Sequence, residues 1–292
     1  MKSFGAQNMV STLKKVLMRK PEYDFSKIDL KKWHYEKTLN QEIVKQNYKD
    51  FNKIIRDFGT EVIELSIRSK DEELCDSIFT HDPSLVTEDG AIILNMGKKL
   101  RKTETIEHEN FYNQYEIPII GKISEKGTVE GGDCLWVNKN TLLIGQSSRT
   151  NEEGIKQLSN ILSRLNVECI PIKLPQYTNS ESCFHLMSLM SMLDHDLVIG
   201  CISLLPQILK DEFKKRNIKL ICIPEDEYKI SNTLAINILA LSPRKLVLID
   251  GYPKTQELLL NEGNEIVLFE GKELCIKTEG GPTCLTRPIL RD

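Results

Sequence analysis

No Cys-x-x-Cys pair occurs in this chain, and no His-x₃₋₅-His follows a cysteine pair, so the usual zinc spacings are missing. The eight cysteines, Cys75, Cys134, Cys169, Cys183, Cys201, Cys222, Cys275 and Cys284, are scattered, mostly inside apolar runs. Such scatter fits reduced packing residues rather than a disulfide framework. A P-loop is absent, because Gly97-Lys98 has the wrong spacing and no Ser or Thr after the lysine, and no Gly-x-Gly-x-x-Gly occurs. No apolar run is long enough to span a bilayer, and Met1 to Leu17 lacks the uninterrupted apolar stretch of a secretory signal. The net charge of −3 gives no basic footprint for nucleic acid and no polybasic patch for a membrane. The expectation is a cytoplasmic protein that binds neither.

What is present is ordinary in bulk and odd in detail. The chain has 292 residues, 40% of them apolar and 28% charged, enough for a substantial core. Leu13 to Met18 reads as a strand, and Phe25 to His34 reads as loop. Asn40 to Phe58 carries Ile43, Val44, Tyr48, Phe51, Ile54 and Ile55 at helical spacing and stops at Gly59. Val62 to Leu65 reads as a short strand.

A pattern then recurs. A polar residue opens an apolar run, a turn follows, then a second apolar run, a glycine-containing loop and a helix-like stretch. The openings fall at Asp82, Asp133, His185, Asn237 and Cys284, with spacings of 51, 52, 52 and 47 residues. A period near fifty marks a repeat architecture, in which one unit alone cannot bury its apolar face. The predicted arrangement is α/β: five hairpin-plus-helix units in a closed ring, residues 1–292 forming one domain. Leu13 to Met18 supplies the missing second strand of the last unit. The five opening residues then face a common axis. Polar groups gathered in a dry channel are costly unless something binds there.

The constellation suits nucleophilic catalysis. A Cys284 thiolate can attack while His185 moves protons. Glu130-Gly131-Gly132-Asp133 mirrors Glu279-Gly280-Gly281 before Cys284, with glycines bringing the backbone close to place a functional group. One acid among Asp82, Glu130 and Asp133 can orient His185, and another can grip a cationic substrate by paired hydrogen bonds. Arg149, in the loop before a helix, suits a substrate carboxylate. His34, His81, His108 and His195 read as turn or surface histidines.

Together, Gly127-Thr128-Val129-Glu130-Gly131-Gly132-Asp133, Ser148-Arg149-Thr150-Asn151-Glu152-Glu153-Gly154, Phe184-His185-Leu186 and Gly280-Gly281-Pro282-Thr283-Cys284 resemble the dimethylarginine dimethylaminohydrolases. These belong with arginine deiminases and amidinotransferases in the pentein superfamily, and the resemblance covers essentially the whole chain. It implies a five-bladed pseudo-fivefold α/β propeller. It also implies roles: Cys284 attacks the guanidinium carbon, and His185 protonates the leaving amine and then activates water. Glu130 hydrogen-bonds His185 and substrate, Asp82 holds guanidinium nitrogens, and Arg149 and Arg101 bind the substrate carboxylate. No metal or organic cofactor is implied. The implied partners are a small guanidino substrate and at most a second copy of the chain.

One position departs from the pattern. Arginine deiminases and amidinotransferases carry an aspartate two residues after this histidine, and here that residue is Met187. Strand alternation would set Met187 on the same side as His185. An apolar thioether there suits N-methyl groups better than unpaired guanidinium N–H groups. The expected activity is hydrolysis of N-methylated arginine to citrulline and methylamine or dimethylamine. Deimination of arginine or another guanidino compound, and a non-catalytic binding role, are the alternatives.

Overall fold

The computed structural model describes residues 3–33, 35, 37–67, 74–175 and 184–292; His34 and Cys183 lie outside them. The strands are β1 (Leu13–Met18), β2 (Glu61–Glu64), β3 (Ser84–Val86), β4 (Ala91–Ile93), β5 (Ile119–Lys122), β6 (Cys134–Asn138), β7 (Thr141–Gln146) and β8 (Glu168–Lys173). They continue as β9 (Met190–Asp194), β10 (Leu197–Gly200), β11 (Lys219–Cys222), β12 (Leu239–Ser242), β13 (Lys245–Ile249), β14 (Glu265–Phe269) and β15 (Arg287–Arg291). Among the described residues they form five three-stranded sheets, β15-β1-β2, β3-β4-β5, β6-β7-β8, β9-β10-β11 and β12-β13-β14. All five share one wiring: an antiparallel pair, then a third strand parallel to the middle one. A parallel neighbour needs a long crossover, and a helix supplies it in each blade. This is the closed ring of five units that the period near fifty predicts, and the five-bladed α/β propeller that the resemblance implies.

β1 runs antiparallel to β15, pairing Val16 with Pro288 and Leu17 with Arg287. Gly5 flanks the other side of β15, where its N–H donates to the Ile289 carbonyl and its carbonyl accepts from Arg291 N–H. The first of the crossover helices, Gln41–Asp57, buries Val44, Tyr48, Phe51 and Ile55 on one face. Asn40 caps its start, its Oδ1 accepting from the N–H groups of Glu42 and Ile43. Phe51 meets the Phe269 ring of β14 at 4.9 Å between centroids, which ties this helix to a neighbouring blade.

Three expectations need correction. Each unit is more than a hairpin and a helix, because β5, β8, β11 and β14 follow the helices. These outer strands are half-exposed and mix charged with apolar residues, so their pattern is weak. Phe25 to Trp33 is not plain loop: it folds into the short turns Phe25–Lys27 and Leu30–Trp33, burying Phe25 and Trp33. The apolar run that His185 opens is not one strand, since a 3₁₀ turn, Leu186–Ser188, precedes β9. Met187 sits in that turn, so strand alternation does not fix its direction.

The opening residues also do more than face one another. Asp82 Oδ1 accepts from Gly132 N–H at 2.9 Å. Asp133 Oδ1 accepts from Leu186 N–H at 2.9 Å. Asn237 Oδ1 accepts from Thr283 N–H at 3.0 Å. The Cys284 carbonyl accepts from His81 N–H at 3.2 Å. Between the third and fourth units, Ser191 Oγ donates to the Ile236 carbonyl. Each blade is thus latched to the next around the axis. This latching satisfies much of the polarity that the sequence alone assigns to a ligand.

Candidate active site

Cys284, His185, Asp82, Arg101, Arg149 and Met187 line one cavity of about 60 Å³. Cys284 is half-buried in the turn before β15, and its Sγ accepts from Asn237 Nδ2 at 3.2 Å. His185 is 5% exposed, and its Nε2 lies 2.9 Å from Glu130 Oε2. Glu130 is fully buried behind the histidine. Its other oxygen accepts from Lys98 N–H at 3.0 Å and lies 3.6 Å from Arg149 Nη1. Burial disfavours this carboxylate, but the hydrogen bond and charge of His185 and the charge of Arg149 outweigh it, holding its pKa below the usual range. An ionised Glu130 therefore orients the imidazole and stabilises its protonated form.

The glycines act by what they leave out. A Cβ on Gly132 would sit 2.3 Å from His185 Nδ1, and one on Gly280 would sit 2.2 Å from the Phe79 ring. Only glycine lets these two segments approach the site so closely.

Asp82 lies at the cavity wall with Oδ2 2.6 Å from Arg101 Nη1. Its burial is outweighed by the charges of Arg101, His185 and His81, so its carboxyl stays well below the usual carboxylate range. Arg101 is thoroughly engaged. It pairs with both oxygens of Glu104 and donates to the Phe79 carbonyl as well as to Asp82. Burial works against its charge, but Glu104 and Asp82 more than compensate and raise its pKa. Its guanidinium is arranged to fix Asp82, whereas Arg149 lies beside Glu130.

Asp133 is a correction. It does not line the cavity. Its oxygens accept from Leu186 N–H and from Ser147 Oγ–H at 2.6 Å. Burial pushes its pKa up, despite His185 and these hydrogen bonds. It latches two blades instead of gripping a ligand. His108 is a correction too, since it is buried in a helix; His81 lies in a turn, as expected, but is buried as well, and burial together with the nearby Arg287 pushes each down to about 3. His195 is exposed in its turn, as expected.

Sequence reasoning missed part of the wall. Asp76 pairs with Lys98 Nζ at 2.6 Å and accepts from Tyr35 Oη–H at 2.6 Å, while Lys98 lies 5.3 Å over the Trp33 ring. Lys98 belongs to the Gly97-Lys98 pair set aside as no P-loop. Trp33 sits in the stretch read as loop and Tyr35 just past it, where a pair of aromatics was the available signal. Glu279 and Thr233, non-glycine residues with φ of 59° and 71°, also line the cavity. For the β-branched Thr233 such a backbone is a true outlier. Among the other described cysteines, Cys134, Cys169 and Cys275 are pushed up by burial. Among the described residues no cluster of three or more His, Cys, Asp or Glu is placed to hold a metal, and no helix is long and apolar enough to cross a membrane.

Five blades sharing one wiring around a polar axis, with thiol, imidazole and carboxylate lining one cavity, are the architecture of a pentein. Comparisons agree. The arginine deiminase family model matches residues 72–205. The dimethylarginine dimethylaminohydrolase of Pseudomonas aeruginosa is 29% identical over 235 residues, spanning 80% of this chain and 85% of its own. A solved dimethylarginine dimethylaminohydrolase, in adduct with 4-chloro-2-hydroxymethylpyridine, superposes with a TM-score of 0.76 at 25% identity, covering 94% of this chain and 99% of that one. An amidinotransferase from Microseira wollei shares the fold alone, with a TM-score of 0.78 at 15% identity over 99% of this chain and 97% of that one. The chain has the pentein fold and is similar to guanidino-group-modifying enzymes of that fold, the dimethylarginine dimethylaminohydrolases and arginine deiminases among them.

Proposed function

We propose that this protein is a cytoplasmic, single-domain amidine hydrolase acting on Nω-methylated arginine, giving citrulline and methylamine or dimethylamine. The observation that carries the reading is one cavity lined by the Cys284 thiol, by His185 with Glu130 buried behind it, and by the ionised Asp82 carboxylate. Asp82 binds guanidinium N–H groups, and Arg149 meets the substrate carboxylate. The Cys284 thiolate adds to the guanidinium carbon, His185 protonates the methylated nitrogen, and that C–N bond breaks to release the amine. The product is a thiouronium bonded to Sγ. His185, now neutral, takes a proton from water as its oxygen adds to the same carbon. The C–S bond then breaks as the remaining hydroxyl proton passes to solvent, leaving citrulline, the thiolate and a protonated His185. Glu130 stays ionised throughout and supports the imidazolium.

Met187 is 4% exposed and lines the same cavity, which supports methyl selectivity. Citrulline assays on arginine, monomethylarginine and asymmetric dimethylarginine test the reading directly. Higher kcat/KM on the methylated compounds is expected. Preference for arginine would make this a deiminase, and no citrulline from any of them would favour a binding protein.

A further inference from the structure

Asn237 touches the reacting sulfur, and its amide can face only one way. Its Oδ1 accepts from Thr283 N–H at 3.0 Å, a bond that an NH₂ group could not make. Nδ2 therefore faces the other side, 3.2 Å from Cys284 Sγ. The side chain is clamped there. Asn237 is 5% exposed, and a Cβ on Gly281 would fall 2.5 Å from its Cγ. The glycine preceding Pro282 is thus what admits the amide, and the Thr283 bond fixes its plane. The donor reaches the sulfur prealigned, with little reorganisation left at the moment of reaction.

A donor aimed at sulfur favours the charged thiolate over the neutral thiol. We propose that Asn237 is a catalytic residue that holds Cys284 as a thiolate through its Nδ2–H, an inference that builds on the hydrolase reading above. The same bond serves both halves of the reaction. It strengthens the attacking thiolate population before the C–S bond forms. It then stabilises the sulfur as its electron pair returns when that bond breaks, so the thiolate leaves more readily. In the thiouronium between these steps the sulfur is a neutral thioether and needs the donor least.

The test reads Cys284 directly. Iodoacetamide alkylation of the Cys284 peptide, followed by mass spectrometry across pH, gives the thiolate titration midpoint without any turnover. Asn237→Ala removes the donor, and Asn237→Asp keeps an acceptor for Thr283 while placing a carboxylate oxygen beside the sulfur. The midpoint should rise by roughly one pH unit in the alanine variant, about tenfold less thiolate at neutral pH, and further in the aspartate variant. The acid limb of the kcat/KM profile should move with it, and activity of Asn237→Ala should recover at high pH. A merely structural role would lower activity at every pH. Unchanged midpoints in both folded variants would overturn the proposal; if alanine unfolds the protein, the aspartate variant alone decides. Shifted midpoints in an enzyme that turns over no guanidino compound would uphold the role of Asn237 and remove the hydrolase reading instead.

Discussion

The Glu-Gly-Gly segment occurs twice, as Glu130-Gly131-Gly132 and as Glu279-Gly280-Gly281, and the two copies use equivalent residues differently. In the first, the glutamate is buried and works on His185, while the opening residue three places on, Asp133, is spent on a latch between blades. In the second, the glutamate sits half-buried at the cavity in a left-handed backbone, and the opening residue, Cys284, is the one aimed at substrate. Even the two carboxyls of the first copy diverge. Glu130 is held low by His185 and Arg149, whereas burial wins at Asp133. Repetition sets where a residue sits, but its nearest donors decide what it does. His81 joins the copies: its N–H donates to the Cys284 carbonyl, and its own carbonyl lies against Gly131.

The contrast breaks most sharply at the second copy. Cys284→Ser should keep its fold by circular dichroism yet lose roughly 10⁴-fold or more in citrulline production, because a hydroxyl is scarcely ionised near neutral pH. Normal turnover by that variant would falsify the nucleophile assignment. In the first copy, Gly132→Ala presses a methyl group onto His185. Displacing the ring by a fraction of an ångström should lower kcat/KM by about 100-fold, with a smaller change in thermal stability. An equally active alanine variant would show that the close approach has no catalytic purpose.

Met187→Asp tests what the shared cavity reads. A carboxylate beside His185 can pair N–H groups that methyls would replace, so the arginine to methylarginine ratio of kcat/KM should rise about tenfold or more. An unchanged ratio in a folded variant removes the methyl-selective argument. Asp133→Asn separates latch from ligand. It should leave KM for substrate near wild type while costing about 1–3 kcal/mol of stability, measured by urea unfolding. A raised KM with full stability would return Asp133 to the substrate.

The smallest expected effect concerns the seam between the copies. His81 and His108 are both held down to about 3, below the ordinary histidine value of 6.5. Between those values the unfolded chain binds protons that the folded chain refuses, so stability falls as pH falls through this window. Each histidine contributes a slope of about 1.4 kcal/mol per pH unit. His108→Gln should roughly halve that slope between pH 4 and 6 in urea titrations. A slope that does not change would mean the imidazole titrates normally in the folded protein.

Much of the fold was legible because the repeat is carried by its buried parts. The inner strands of each blade are buried, so their apolar runs recur at a fixed period. The third strands lie at the half-exposed outer edge, where charged residues are tolerated and the pattern fades. At the site, Glu130 and Cys284 were legible through the doubled glycine segment, and His185 through the period near fifty. Asp76, Lys98, Trp33 and Tyr35 were not, since they come from turns with no period and meet only after the chain folds.

The sequence by itself determined the five-unit ring, its closure by the N-terminal strand and the gathering of one polar residue per unit at the axis. Hydrophobic period and glycine placement are local properties of the chain, and they suffice for that. Only the tertiary structure decided which of those polar residues remain for chemistry. Asp133 is taken up by a neighbouring N–H, Arg101 by Glu104 and Asp82, and Asn237 is turned by Thr283 towards the sulfur. The physical reason is that a buried hydrogen-bonding group must be satisfied by whatever partner packing brings within about 3 Å, and for Asp133 and Asn237 that partner lies in the next blade, far along the chain.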